Sequence, residues 1–116
     1  MKRANRLTRS IDFQRVRRLG KSFAHPLLIL ITAPNELPLT RVGISVSRAV
    51  GGAVARNRVK RRLRACLDET LAGLPPGWDL VLVARRPLLA AEYTQICSAV
   101  FTLLRRAGLV EKIDGP

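Results

Sequence analysis

The chain has 116 residues, with 21 Lys and Arg against 8 Asp and Glu, a formal net charge of +13. This length suits one domain with its own core, and a composition 47% hydrophobic and 25% charged is globular, not disordered. Two cysteines and one histidine exclude a disulfide scaffold, a four-thiolate zinc site and a multi-histidine metal centre.

The elements are read in chain order. Met1 to Arg9 is polar and basic without apolar periodicity, and reads as an extended basic arm over residues 1–9. Ser10 as N-cap, Asp12 in the first turn and Gly20 as stop predict a short helix carrying Ile11, Phe13, Val16 and Leu19. Ser22 to Ala33 is rich in Leu and Ile and reads as one strand. Its apolar run, Leu27 to Ala33, is far below the ~20 residues that span a bilayer. Pro34 to Pro38 is a turn, since the prolines interrupt any ladder. Leu39 to Ser47 alternates, with Val42, Ile44 and Val46 on one side and Arg41, Gly43 and Ser45 on the other: a half-buried strand. The two strands are expected to pair as an antiparallel hairpin.

Gly51-Gly52 precedes a long helix, about Ala53 to Leu74, which Pro75-Pro76-Gly77 ends. Trp78 to Ala84 is almost continuously apolar and is expected in the centre of the sheet. A last amphipathic helix, about Ala91 to Arg106, turns Ile96, Val100, Leu103 and Leu104 inward, and residues 109–116 form a C-terminal tail. The expected fold is α+β: a single-domain sandwich of one mostly antiparallel sheet with helices packed on it, in the order α-β-β-α-β-α. One domain, 1–116, is expected.

The charge is concentrated. Residues 1–64 carry 16 basic and 2 acidic side chains, a net +14, and residues 65–116 carry −1. On the long helix, at about 100° per residue, Val59, Leu63, Cys66, Leu67, Thr70 and Leu74 form an apolar stripe. Lys60 and Arg64 border it, Asn57 stands just behind them, and Arg58, Arg61 and Arg62 point outward. Like charges at this density destabilise an isolated helix, and cations in its N-terminal half oppose the helix dipole. An external polyanion such as a nucleic-acid backbone accounts for them.

The stretch Arg41-Val42-Gly43-Ile44-Ser45-Val46-Ser47, followed by Ala53-Val54-Ala55-Arg56-Asn57-Arg58-Val59-Lys60-Arg61, closely resembles the bacterial ribonuclease P protein subunit. Arg6-Leu7, Asp12-Phe13, Gly20 and Val81 to Pro87 extend the resemblance over nearly the whole chain. It implies a small protein bound to a large catalytic RNA that, with magnesium, removes the 5′ leader of precursor tRNA. It also implies a sandwich with a left-handed crossover. Carried over by position, Arg56, Asn57, Arg58 and Arg61 face the catalytic RNA, while Phe13, Lys60 and Arg64 line a cleft for the single-stranded leader. An aromatic ring stacks a base while cations follow the phosphates. Two positions depart from the pattern: Arg17, one turn after Phe13 and counted with the leader-binding set, and Ile31 stand where many relatives carry aromatics.

The implied partners are the catalytic RNA and precursor tRNA, with no membrane and no obligate protein partner. Magnesium is required by the RNA–protein complex and the protein alone binds no cofactor. No nucleophile–base pair or carboxylate pair can be assembled, so no catalytic residue is assigned and the chemistry is expected in the RNA. Asp12 and Glu36 are the only acids in the basic region, too few to cluster around protein-held metal ions. A general nucleic-acid structural protein and a nuclease acting alone are the competing classes. Cys66 and Cys97 are expected as inert core thiols in a reduced, cytoplasmic protein.

Overall fold

The computed structural model describes residues 1–110. Of the expected tail, 109–116, Leu109 is buried and Val110 half-buried, and 111–116 lie outside the described residues. The elements are α1 (Ser10–Leu19), β1 (Lys21–Ala24), β2 (Leu28–Pro34), β3 (Arg41–Ser45), α2 (Ala53–Thr70), β4 (Trp78–Ala84) and α3 (Tyr93–Arg106). The four strands form one sheet in the order β1-β2-β4-β3. β1 with β2 and β2 with β4 are antiparallel, while β3 with β4 is parallel.

Alternation along the strands sorts two cores. Leu28, Leu30, Val42, Leu80 and Leu82 face α2 and α3, where Val59, Leu63, Leu67, Ile96, Val100 and Leu103 complete the larger cluster. Ile31, Ala33 and Val81 face the other way and pack with Val16 of α1 and Leu7. The sheet therefore has α1 on one face and α2 with α3 on the other. β4 carries buried residues on both faces, which suits an interior slot and explains its near-continuous apolar run.

Several expectations change. The single strand Ser22–Ala33 is a hairpin of two, so the order gains a strand: α-β-β-β-α-β-α. The break is at His25-Pro26-Leu27, where His25 N–H donates to the Leu28 carbonyl and Leu27 N–H to His25 Nδ1. Pro26, with no N–H and a fixed φ, suits that turn and not a ladder. The expected antiparallel pairing across Pro34–Pro38 does not form. β4 inserts between β2 and β3, because both it and β2 carry buried residues on both faces and so take the interior slots, leaving β3 at the edge. The helix α1 starts after Arg9 with no side-chain cap, not from a Ser10 cap. Ile11 and Leu19 lie exposed, since only Phe13 and Val16 of the four apolar residues point at the sheet. The long helix ends at Thr70, followed by a 3-10 turn, Leu71–Gly73. α3 starts at Tyr93, where Glu92 and Gln95 form a reciprocal capping box, and ends before Gly108 at φ 76°.

Residues 1–9 are docked, not merely extended. A 3-10 turn covers Arg3–Asn5, Asn5 Nδ2 donates to the Thr40 carbonyl (2.8 Å), and Leu7 N–H donates to the Val42 carbonyl (2.9 Å). Met1 packs against the α2–α3 core and its amino group pairs with Asp68 of α2 (2.6 Å), whereas Leu7 joins the α1 core. The arm thus wraps the outer edge of β3. The cysteines were expected as free thiols, but Cys66 of α2 and Cys97 of α3 are joined by a disulfide with Cα atoms 5.3 Å apart. Both helices cover the same sheet face, and the stripes that bear the two cysteines meet there.

Candidate nucleic-acid interface

Helix α1 packs over β2 and β4, and its side chains reach the edge strand β3 in a definite register, set by the three β3 residues that face it. Arg41 reaches Asp12 at 3.7 Å, Gly43 faces the Phe13 ring, and Ser45 Oγ accepts from Arg17 Nη2 at 2.8 Å. Gly43 is needed for the close approach. A Cβ there would stand 2.5 Å from Phe13 Cζ and 3.1 Å from Leu7 Cβ.

Beside this contact a groove of about 300 Å³ follows the β3 edge, lined by Arg6, Leu7, Thr8, Phe13, Val42, Ile44, Lys60 and Arg64. Its lining is mostly polar, and it brings together one aromatic ring from α1 and three cations from the arm and α2. Lys60 and Arg64 also line a second depression of about 440 Å³ with Val54, Asn57 and Arg61, on the outer side of α2. The two cations form a shared rim between a groove on the sheet edge and a basic hollow on the helix.

Of the expected leader-binding set, Phe13, Lys60 and Arg64 meet in the groove. Arg17 does not line it, being held at Ser45 on the same α1 face. Of the expected catalytic-RNA set, Asn57 and Arg61 line the hollow. Arg56 is half-buried a turn before Lys60, and Arg58 is exposed and lines neither depression. Ile31 is buried in the α1 core, away from the groove. Among the described residues, the cations in ion pairs are the Met1 amino group, Arg15 and Arg41. Among the described residues the basic side chains of α2 have no carboxylate partner, and the first turn of α2 contains no acid. They are available to an external anion, and α2 would gain from one.

Sequence reading missed two contributors. The first is Arg6–Thr8, whose register against Val42 depends on long-range pairing. The second is Asp79, fully buried on β4 beneath α1. Arg41 Nε and Nη2 donate to it at 2.9 and 2.7 Å, Asn35 Nδ2 at 2.8 Å, and Arg15 Nη2 also donates. Burial alone would raise its pKa. Hydrogen bonds from Arg41 and Asn35 and the charges of Arg41 and Arg15 outweigh burial and hold the carboxyl below its usual range. The signal was present: one acid inside an interior strand requires partners, and Arg41 stood on the matching face of its own strand.

The ribonuclease P family model matches residues 1–108. The ribonuclease P protein component of Roseiflexus castenholzii is 43% identical over 112 residues, covering 96% of this chain and 92% of that relative. That of Dehalococcoides mccartyi is 44% identical over 114 residues, covering 98% and 93%. The chain belongs to the ribonuclease P protein family. Proteins of this family are components of a tRNA-processing endoribonuclease complex. The fold agrees: the Staphylococcus aureus RNase P protein superposes with a TM-score of 0.86 at 31% identity, covering 94% of this chain and all of that one. The Thermotoga maritima RNase P protein gives 0.80 at 28%, covering 87% and 96%. Among the described residues, no His, Cys, Asp and Glu side chains cluster as metal ligands, and no helix is long and apolar enough to cross a membrane.

Proposed function

We propose that this ribonuclease P protein binds the catalytic RNA through the outer face of α2 and holds the 5′ leader of precursor tRNA in the β3-edge groove. The observation that carries the reading is the convergence of Phe13, Lys60 and Arg64, from two helices on opposite faces of the sheet, on one groove that the arm closes. Phe13 offers a face for a base, while Lys60, Arg64 and Arg6 follow the phosphates. Arg17, donating to Ser45, presents its remaining N–H groups at the α1 side of the path. Arg56, Asn57, Arg58 and Arg61 engage the catalytic RNA. In this reading the two RNAs lie on either side of Lys60 and Arg64, the rim shared by groove and hollow, so one helix contacts both.

The chemistry resides in the RNA. The protein contributes electrostatics and positioning, magnesium serves the RNA–protein complex, and the protein binds no metal of its own. The complex acts in the cytoplasm without an obligate protein partner. The test incubates precursor tRNA at low magnesium with the protein, with the cognate catalytic RNA, and with both. Cleavage by the pair alone is expected, and cleavage by the protein alone refutes the reading. In the same assay, Phe13→Ala weakens precursor binding about 5- to 100-fold, the value of one stacked base. It leaves mature tRNA binding unchanged.

A further inference from the structure

We propose that Asp79 is a positioning residue for leader recognition: its buried carboxylate fixes α1 in register over the sheet and so sets Phe13 opposite Lys60 and Arg64. This rests on the groove reading above and extends it to residues that do not line the groove. Asp79 has no exposed surface and receives donors from three separate segments: Arg15 of α1, Arg41 of β3 and Asn35 of the connection after β2. Asn35 Nδ2 also donates to the Leu39 and Trp78 carbonyls, at 3.1 and 3.0 Å, so that segment is itself held. Arg41 spans Asp79 and Asp12, clamping the first turn of α1 from the strand side. Arg15 clamps the next turn and also donates to the Pro34 carbonyl at 3.4 Å.

Phe13 lies between the two clamped positions in sequence. The apolar hold on α1 is small: Val16 is its one fully buried residue. A ten-residue helix with one buried side chain and a half-buried ring is poorly fixed along its axis by apolar contact, because such contact is non-directional. Charge-assisted hydrogen bonds are directional, and a bidentate arginine fork fixes both distance and angle. The network therefore supplies the register that the α1 core lacks.

The charges make a test with opposed signs. Asp79→Asn removes a negative charge and raises the formal net charge by one, so electrostatics alone would tighten RNA binding. Positioning predicts the reverse, a loss of about tenfold for precursor tRNA with a leader of several nucleotides. Leaderless tRNA and assembly with the catalytic RNA are unaffected. Because Asp79→Asn could compromise folding, Arg15→Met is the second variant. It keeps the apolar stem, leaves the Arg41–Asp79 fork and the Arg41–Asp12 pair in place, and cuts only the bonds that Arg15 makes to Asp79 and to the Pro34 carbonyl. It is expected to show the same leader-selective loss with an unchanged salt slope, since the Arg15 charge is already answered by Asp79. A direct phosphate contact would lower that slope by about 0.7. Arg15→Lys, which restores a charged donor, recovers part of the loss.

Folded Arg15→Met with full leader affinity, an equal loss for leaderless tRNA, or a reduced salt slope each overturns the positioning role. Phe13→Ala run in parallel separates the two readings. If Phe13→Ala loses leader affinity and Arg15→Met does not, positioning alone fails. If neither loses it, the groove reading fails and the positioning role falls with it.

Discussion

Gly43→Ala tests how closely helix and strand are fitted at the groove. The added Cβ would lie 2.5 and 2.8 Å from Phe13 Cζ and Cε1 and 3.1 Å from Leu7 Cβ. Carbon atoms rest at about 3.5–4.0 Å, so the ring must retreat by roughly 1 Å or more. Leu7 cannot give way freely, because its N–H is bonded to the Val42 carbonyl. Overpacking of this kind costs about 1–3 kcal/mol. Loss of glycine's freedom in the unfolded chain returns about 0.4–1 kcal/mol, leaving a net loss of about 1–2 kcal/mol. For a chain of this size that lowers the melting midpoint by about 4–8 °C. Urea unfolding followed by Trp78, the only tryptophan, measures it, and leader-dependent binding of precursor tRNA should fall alongside. The decisive control is Phe13→Ala: in that background Gly43→Ala should cost markedly less, because the obstructing ring is gone and only the 3.1 Å approach to Leu7 Cβ remains. An equal cost in both backgrounds would refute the fit of Phe13 on Gly43.

Three further outcomes follow from the geometry. Reduction of the Cys66–Cys97 disulfide, which closes a separation of 31 residues, should cost about 3.7 kcal/mol on loop entropy; two reactive thiols in the untreated native protein would contradict the bond. In a reducing compartment the operating stability lies nearer the reduced value. The lowered pKa of Asp79 means that its contribution to stability is full well above its usual value of 3.8 and is lost as pH falls through the depressed folded value. Asp79→Asn should therefore flatten the acid limb of the stability–pH curve, as read by denaturant midpoints from pH 5 downward. Arg58→Ala, at an exposed position outside both depressions, should weaken catalytic-RNA binding and reduce its salt slope by up to about 0.9. The affinity difference between leader-bearing and leaderless tRNA should remain.

What could be read from the sequence was what periodicity encodes. The apolar stripe of α2 places Val59, Leu63, Cys66 and Leu67 in the core as expected, and the unbroken apolar run of Trp78–Ala84 marks an interior strand. Lys60 and Arg64 on the stripe border follow from the same arithmetic. Pairing was not legible, because alternation in Arg41–Ser45 fixes which face is buried but not which neighbour covers the edge. His25-Pro26 falls inside the single strand expected over Ser22–Ala33, since a hairpin this short leaves no polar stretch to mark it. The disulfide depended on how α2 and α3 cross, which neither helix carries alone. Asp79 was passed over because six apolar neighbours dominate its strand.

The position of β4 also governs how the molecule comes into being. Its partners, Leu28–Pro34 and Arg41–Ser45, precede it by dozens of residues. At ~5–20 residues per second of synthesis, several seconds separate completion of β2 from arrival of β4. Through that interval the growing chain has an apolar β2 with one edge unpaired, the kind of surface that recruits other strands. The part already made carries nearly all the excess charge, +14 over residues 1–64. Mutual repulsion between such chains opposes their association. The same arginines that crowd the surface of the finished protein thus shield its unfinished sheet.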